Sequence, residues 1–540
     1  MSDLRAYEDH FAANNLPDDN DLPEFIYDLT EVNYPLRLNA ACQLLDKNIL
    51  AGRGDKTAIR TPDESWTYRA VFEKSNQIAH VLVEDMGLKT GNRVLLRSSN
   101  SPMMVACWFA VLKAGGIVVP TMPLLRARDL VPMIIKAEIS LALCDAGLAE
   151  ELERAKSSAP VLEHVQYFNG LNAALENLMR GKATEFTPVA TAAKDIALIA
   201  FTSGTTGNPK GTMHFHQDIM SMCHCVGDRL LGITEDDVII GSPPLGFTFG
   251  LGALLAFPFH AGATTVLLET SAPDVYLNAI EYFRATWSFT VPTAYRAMLA
   301  DVEDYDLSCL KACVSAGEPL PLATFNAWEA ATGLRLIDGI GATEMIHIFI
   351  SAAGDDIRPG ATGKPVAGYQ ACILDQDNTP LPVGEVGRLA VKGPTGCKYL
   401  NDDRQSVYVK GGWNVTGDAY KMDEDGYFWF QGRDDDMIVS SGYNISGPEV
   451  EKALMDHPAV AECAVVAAPD ARRGQIVKAF IVLAPCFEGG NELASALQEF
   501  VKQAIAPYKY PRAIAFVENL PKTETGKIQR FVLRQRELNM

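Results

Sequence analysis

The ten residues Thr202–Gly211, Thr-Ser-Gly-Thr-Thr-Gly-Asn-Pro-Lys-Gly, follow directly on an uninterrupted apolar run, Ile196 to Phe201. A short apolar run that gives way to glycine-rich polar sequence reads as a buried strand opening into a loop. The composition of that loop suits a phosphate cradle. Gly204, Gly207 and Gly211 let the backbone bring N–H groups against an anion, and Thr202, Ser203, Thr205, Thr206 and Lys210 add donors and positive charge. A Walker A loop needs glycine before its lysine and serine or threonine after it; Pro209 and Gly211 hold those positions, which disfavours a P-loop kinase or ATPase. A phosphate loop delivered by a buried strand points to an α/β architecture, where ligands collect outside the carboxyl ends of strands.

The rest of the chain agrees with that class. Ala58-Ile59, Trp66–Tyr68, Val94–Leu96 and Ile117–Pro120 read as strands, Arg69–Val83 and Met103–Ala114 as helices, and Met213–Val226 as a helix beneath the phosphate loop. The chain's 540 residues exceed one ordinary core, so at least two domains are expected. Gly432–Asp436 is a polar hinge between a large domain, 1–434, built of mostly parallel α/β sheets, and a small α+β domain, 435–540. In the small domain Pro448–Met455 and Glu492–Ala504 read as helices, and Val460–Ala467 and Val477–Leu483 as strands. A balance of 47 basic and 67 acidic residues, net −20, argues against nucleic-acid or anionic-membrane partners. Leu251–Leu268 is the most apolar stretch, and Pro258, His260 and two glycines interrupt it, so it reads as protein interior. Eleven cysteines without a regular framework, behind an acidic N-terminal arm unlike a leader, lead us to expect a cytoplasmic protein with reduced thiols.

His214, His216, Cys223, His224 and Cys225 crowd one stretch, but their spacing fits no zinc pattern, and they read as packing. No Gly-x-Ser-x-Gly elbow marks a serine hydrolase. Phe247, Thr248 and Phe249 lie in a glycine-rich aromatic loop that suits a flat apolar ligand as well as an ordinary core.

Five segments, in order, resemble the signatures of the adenylate-forming superfamily. They are Thr202–Gly211, Asp338–Glu344 (Asp-Gly-Ile-Gly-Ala-Thr-Glu), Thr416-Gly-Asp418, Gly432-Arg-Asp-Asp435 and Pro521–Ile528 (Pro-Lys-Thr-Glu-Thr-Gly-Lys-Ile). The resemblance implies a large adenylation domain with a small mobile lid, and the cofactors ATP, Mg2+ and coenzyme A. It places ATP at Thr202, Ser203, Gly204, Thr205, Thr206, Gly207 and Lys210, the adenine beside Gly317, Glu318, Asp338 and Gly339, and the ribose at Asp418 with Arg433. Thr343 and Glu344 are the expected catalytic pair, with Glu344 holding Mg2+: a carboxylate beside a triphosphate repels it unless a cation intervenes. The acyl pocket is expected at Phe247, Thr248, Phe249, Gly341 and His347, and the pivot at Asp435. Lys527 is the expected lid cation, stabilising charge as a carboxylate attacks the α-phosphate; the lid then turns to admit a thiol.

The wording around Ser315–Pro321, Asp338–Phe349, Asn92–Arg97 and Thr121–Arg128 is most similar to aryl-CoA ligases of the benzoate and 2-aminobenzoate type. Phe249 stands where a tyrosine is expected in benzoate ligases, which leaves the polar detail of the pocket open. Thirteen residues follow Lys527, so a free thiol acceptor, coenzyme A, is expected rather than a fused carrier. Three readings compete: an aryl-acid CoA ligase; a medium-chain acyl-CoA synthetase or an enzyme loading a separate carrier protein; and a non-catalytic nucleotide-binding protein. Oligomeric state is not legible in the sequence.

Overall fold

Runs such as Ile117–Thr121, buried at every position, have no polar face to offer solvent, so they need cover on both sides, and parallel sheets flanked by helices supply it. The computed structural model describes residues 6–171, 174–202, 209–433, 438–440, 443–470, 474–505, 507–522 and 528–538. It divides into two compact units, 1–371 with 391–414, and 372–390 with 415–540.

The first unit carries two large sheets. One has six strands in the order His164–Phe168, Leu141–Asp145, Arg93–Arg97, Ile117–Thr121, Ile196–Thr202, Lys210–Phe215. Its first five strands run parallel, and the last pairs antiparallel with Ile196–Thr202. The other has nine strands, with a parallel centre that includes Trp287–Thr290, Ala312–Ala316 and Leu336–Gly341 and antiparallel strands at its ends. Side chains from Leu95, Val119, Ile134, Ala142, Ile199 and Met213 share one core over the six-stranded sheet. Helix Pro102–Lys113, buried along its whole length, starts with proline in its first turn and with the Ser101 hydroxyl accepting from the Met104 N–H.

The structure corrects one expected element. Met213, His214 and Phe215 belong to the strand Lys210–Phe215, and the helix begins only at His216. The alternation that decides this is tertiary: the strand is held on one edge by Ile196–Thr202 and on the other by the segment around Tyr399, with the Met213 N–H donating to the Lys398 carbonyl at 2.7 Å. Two neighbours outweigh a helical pattern that local sequence alone favoured.

In the second unit Asp418–Met422 pairs antiparallel with Phe428–Arg433. Beyond them, Val460–Asp470 and Gly474–Leu483 form a long antiparallel pair, with Ala513–Phe516 parallel to the latter. Helices Gly447–Met455 and Asn491–Ala504 cover this sheet, burying Val450, Leu454, Leu497 and Val501 against Val465, Val477 and Ile481. Among the described residues no helix is long and apolar enough to cross a membrane.

Candidate active site

Strand Ile196–Thr202 and strand Lys210–Phe215 place Thr202 and Lys210 opposite each other as register partners, at the two flanks of the glycine-rich segment. Ser203, Gly204, Thr205, Thr206 and Gly207 lie outside the described residues. The Thr202 hydroxyl is buried and makes no hydrogen bond among the described residues, a donor left for something else.

Lys210 does not stand alone. Its Nζ donates to the Tyr399 hydroxyl at 3.0 Å and lies 3.7 Å from Glu344 Oε1, and the Tyr399 hydroxyl in turn donates to that same Oε1. Burial, reinforced by the Glu344 charge, pushes the Tyr399 phenol far above its ordinary range, so it stays a neutral donor. Tyr399 was invisible to motif reading because it lies 189 residues from Lys210 in sequence. It arrives through backbone pairing, the Leu400 N–H donating to the Gly211 carbonyl at 2.8 Å.

Beneath this group lies a fully buried polar cluster. Lys398 Nζ donates to Asp218 Oδ2 at 2.8 Å, both side chains being without solvent contact, and the Phe215 N–H reaches the same oxygen at 3.0 Å. Burial works to raise the Asp218 carboxyl, but the Lys398 ammonium beside it holds it below its ordinary range. Burial also keeps His214 neutral, and its Nε2 donates to the Thr343 carbonyl at 2.8 Å. His214 thus fixes the backbone of the Thr343-Glu344 pair. His216, lowered to about 3 by burial, accepts from the Ala40 N–H at Nδ1, 3.1 Å away, and serves packing.

Thr343–Met345 is one 3-10 turn, and Ile346 after it has φ +65°, a β-branched residue in the left-handed region. Such a conformation costs roughly 1–3 kcal/mol and persists where surrounding structure imposes it. Immediately past it, His347 is buried against Phe249 and Phe257, with ring centroids 5.7 and 4.8 Å away. Neither of its ring nitrogens makes a hydrogen bond among the described residues. Burial brings it down to about 4, with the Phe249 backbone acting the other way, so it is a neutral imidazole. Gly252 makes this approach possible: a Cβ there would come within 2.4 Å of His347 Cδ2. Phe247 is exposed, Thr248 buried, and Phe249 also faces Phe289 at 6.2 Å. Gly341 lies against the His347 carbonyl, 2.8 Å from where a Cβ would stand.

On the neighbouring parallel strands Ser315 pairs with Asp338 and Ala316 with Gly339, which brings Gly317-Glu318, just past the carboxyl end of one strand, beside Asp338-Gly339 on the other. The chain turns there on Gly317, at φ +86°. Burial raises the Asp338 carboxyl to about 8, against the opposing Gly339 N–H. The buried Arg97 belongs to the same region: its guanidinium donates to the carbonyls of Met122, Pro123 and Leu125 at 2.8, 3.0 and 2.8 Å. That loop packs on the aromatic one, since a Cβ on Gly246 would lie 2.9 Å from the Thr121 carbonyl.

The second unit, by itself, holds another charged pair. Asp418 and Arg433 face each other across antiparallel strands, Arg433 Nη1 donating to Asp418 Oδ1 at 2.9 Å. Asp435 and Lys527 lie outside the described residues.

Glu344 suits Mg2+. It offers a hard carboxylate oxygen, nearly buried, already oriented by the Tyr399 hydroxyl, and one carboxylate is the usual protein share when phosphates and water complete the shell.

The AMP-binding enzyme family matches residues 46–399, and its C-terminal domain matches 449–527. A benzoate-CoA ligase of Thauera aromatica is 36% identical over 511 residues, 93% of this chain and 97% of that protein. The mitochondrial acyl-coenzyme A synthetase ACSM3 of Rattus norvegicus is 35% identical, over 87% of this chain and 84% of the relative. Among solved structures, the anthranilate CoA ligase AuaEII in complex with anthranoyl-AMP superposes with a TM-score of 0.86 at 37% identity, over 94% of this chain and 99% of that one. The chain belongs to the AMP-binding enzyme family, as an acid–thiol ligase of the adenylate-forming superfamily that uses ATP, Mg2+ and coenzyme A.

Proposed function

We propose that this ligase activates an aryl acid, 2-aminobenzoate or benzoate, through an aryl-adenylate that coenzyme A then cleaves. The observation that carries the aryl reading is the buried, neutral imidazole of His347 packed against Phe249 and Phe257, three residues after Glu344. Flat aromatic faces suit a ring, and an imidazole nitrogen gives an ortho-amino or carboxyl group a partner. The relatives that act on benzoate and anthranilate support this choice.

Lys210 and the Thr202 hydroxyl grip the phosphates, and Glu344, oriented by Tyr399, holds the metal. Mg2+ when bound neutralises the phosphate oxygens. Asp418 accepts from the ribose diol, with Arg433 beside it, and Asp338 and Gly317 border the adenine. Lys527, in the small domain, bridges the acid's carboxylate and the α-phosphate while the acid oxygen attacks and pyrophosphate leaves. A pivot at Asp435, between 1–434 and 435–540, then withdraws that lysine before the thiol attacks the carbonyl and expels AMP.

A medium-chain acid is the second reading, favoured by the 35% identity to ACSM3 and by the wholly apolar Phe249. Pyrophosphate release and thioester formation across benzoates and fatty acids, with and without coenzyme A, separate the readings. We expect 2-aminobenzoate or benzoate to exceed hexanoate by at least about tenfold in kcat/KM, the size of one well-fitted contact. A larger rate with hexanoate overturns the aryl reading, and pyrophosphate release without thioester points to a carrier-protein acceptor.

Tyr399→Phe keeps the ring and removes the hydroxyl that joins Lys210 to Glu344. A hydrogen bond to a charged group contributes about 1.5–3 kcal/mol, so KM for MgATP is expected to rise by about tenfold or more. Thioester formation from preformed aryl-AMP is expected to stay within a few fold. An unchanged KM for MgATP contradicts the role.

A further inference from the structure

One cluster outside this machinery is left unexplained. His224 and Asp228 lie four residues apart on the helix Cys223–Leu231, and His260 lies on the helix Phe257–Ala261. Asp228 Oδ2 lies 2.9 Å from His224 Nδ1 and 2.9 Å from His260 Nε2. One donor atom from each of the three residues falls within 4.8 Å of the others. The two rings stand edge to face, with centroids 4.7 Å apart and planes at 87°, and both nitrogens approach the same Asp228 oxygen. Asp228 is partly open to solvent, whereas His260 is nearly buried, so a bound ion would be held from within and still reach water on its outer side.

We propose that His224, Asp228 and His260 bind a divalent transition-metal ion of the zinc class. Two imidazole nitrogens and one carboxylate oxygen form a borderline donor set, which suits Zn2+ or Co2+ and not the all-oxygen preference of Mg2+. Metal–ligand bonds of about 2.0–2.1 Å in a tetrahedron put donors about 3.4 Å apart. The two 2.9 Å contacts to Asp228 open slightly to reach that spacing, a change that rotation about side-chain bonds supplies. The neighbouring opposite charges Arg229 and Glu31 pair with each other at 2.6 Å.

The position gives such an ion a consequence. Thr248–Leu251, Gly252–Ala256 and Phe257–Ala261 are one continuous helical run, with Phe249 and Phe257 against His347 and with His260 in its last turn. An ion at His260 ties that run to the helix Cys223–Leu231.

The test is direct binding to the full-length protein, stripped of metal and free of nucleotide. Titration with Zn2+ by calorimetry, and with Co2+ by its visible d–d absorption, is expected to show one equivalent with nitrogen and oxygen ligation. His260→Gln and His224→Gln are each expected to weaken that equivalent at least tenfold and to abolish the rise in melting temperature that Zn2+ gives the parent. His224 is partly exposed, so its substitution leaves the fold intact even where that of His260 does not. Absence of stoichiometric binding, or binding that both variants retain, overturns the proposal and leaves a hydrogen-bonded clamp. Thiolate charge-transfer absorption in place of the d–d pattern overturns it too, by assigning the ion to cysteine.

Discussion

Lys398→Met is expected to destabilise the protein by about 3–5 kcal/mol, the usual consequence of removing one partner from a buried ion pair. Lys398 and Asp218 have no solvent contact, and without the ammonium the Phe215 N–H is the near donor left at Oδ2 among the described residues. Denaturant unfolding of parent and variant gives the difference, and a loss below about 1 kcal/mol would mean the pair contributes no more than a surface one. Asp218→Asn in the same background is expected to recover part of the loss, because a neutral amide needs no counter-charge. The pH dependence has a fixed sign. Asp218 is held below its ordinary range in the folded state, so its contribution is complete above the unfolded carboxylate range and is lost as pH falls through the depressed folded value. Because His214 lies between this pair and the Thr343 carbonyl, the surviving folded fraction of Lys398→Met is also expected to bind MgATP less tightly.

Lys527→Ala is expected to slow adenylate formation by about 10²–10³-fold, the range for removing one donor aimed at developing charge. The second half-reaction, preformed aryl-AMP with coenzyme A, is expected to stay within a few fold of the parent, since the proposed pivot takes this lysine away before the thiol enters. Pyrophosphate exchange reads the first step, and thioester formation from synthetic aryl-AMP reads the second. Equal loss in both would assign Lys527 to the integrity of the small domain rather than to the first step.

What could be read from the linear chain was periodicity and local chemistry. Uninterrupted apolar runs at Val94–Leu96, Ile117–Pro120 and Ile196–Phe201 became buried strands, because such residues have only the interior to go to. Met213–Phe215 escaped that reading. Its strand depends on a second edge supplied by residues around Tyr399, and no local window contains them. The same distance hid Tyr399 itself and the Lys398–Asp218 pair, which spans 180 residues. Position His347 was legible as a pocket candidate. Its passage over Gly252 was not, since it depends on how a helix 95 residues earlier packs against it.

The class was legible residue by residue: an α/β chain with ordered motifs resembling the adenylate-forming signatures, whose glycines, hydroxyls and charges are local chemistry that needs no partner to be recognised. Which groups act on one another was set by the packing of distant segments. It joined Lys210 to Glu344 through Tyr399, set His214 under Thr343, and brought His260 to His224 and Asp228. The physical reason is that hydrogen bonds and ion pairs act over about 3 Å in space and carry no mark along the chain, whereas hydrophobic periodicity is written residue by residue.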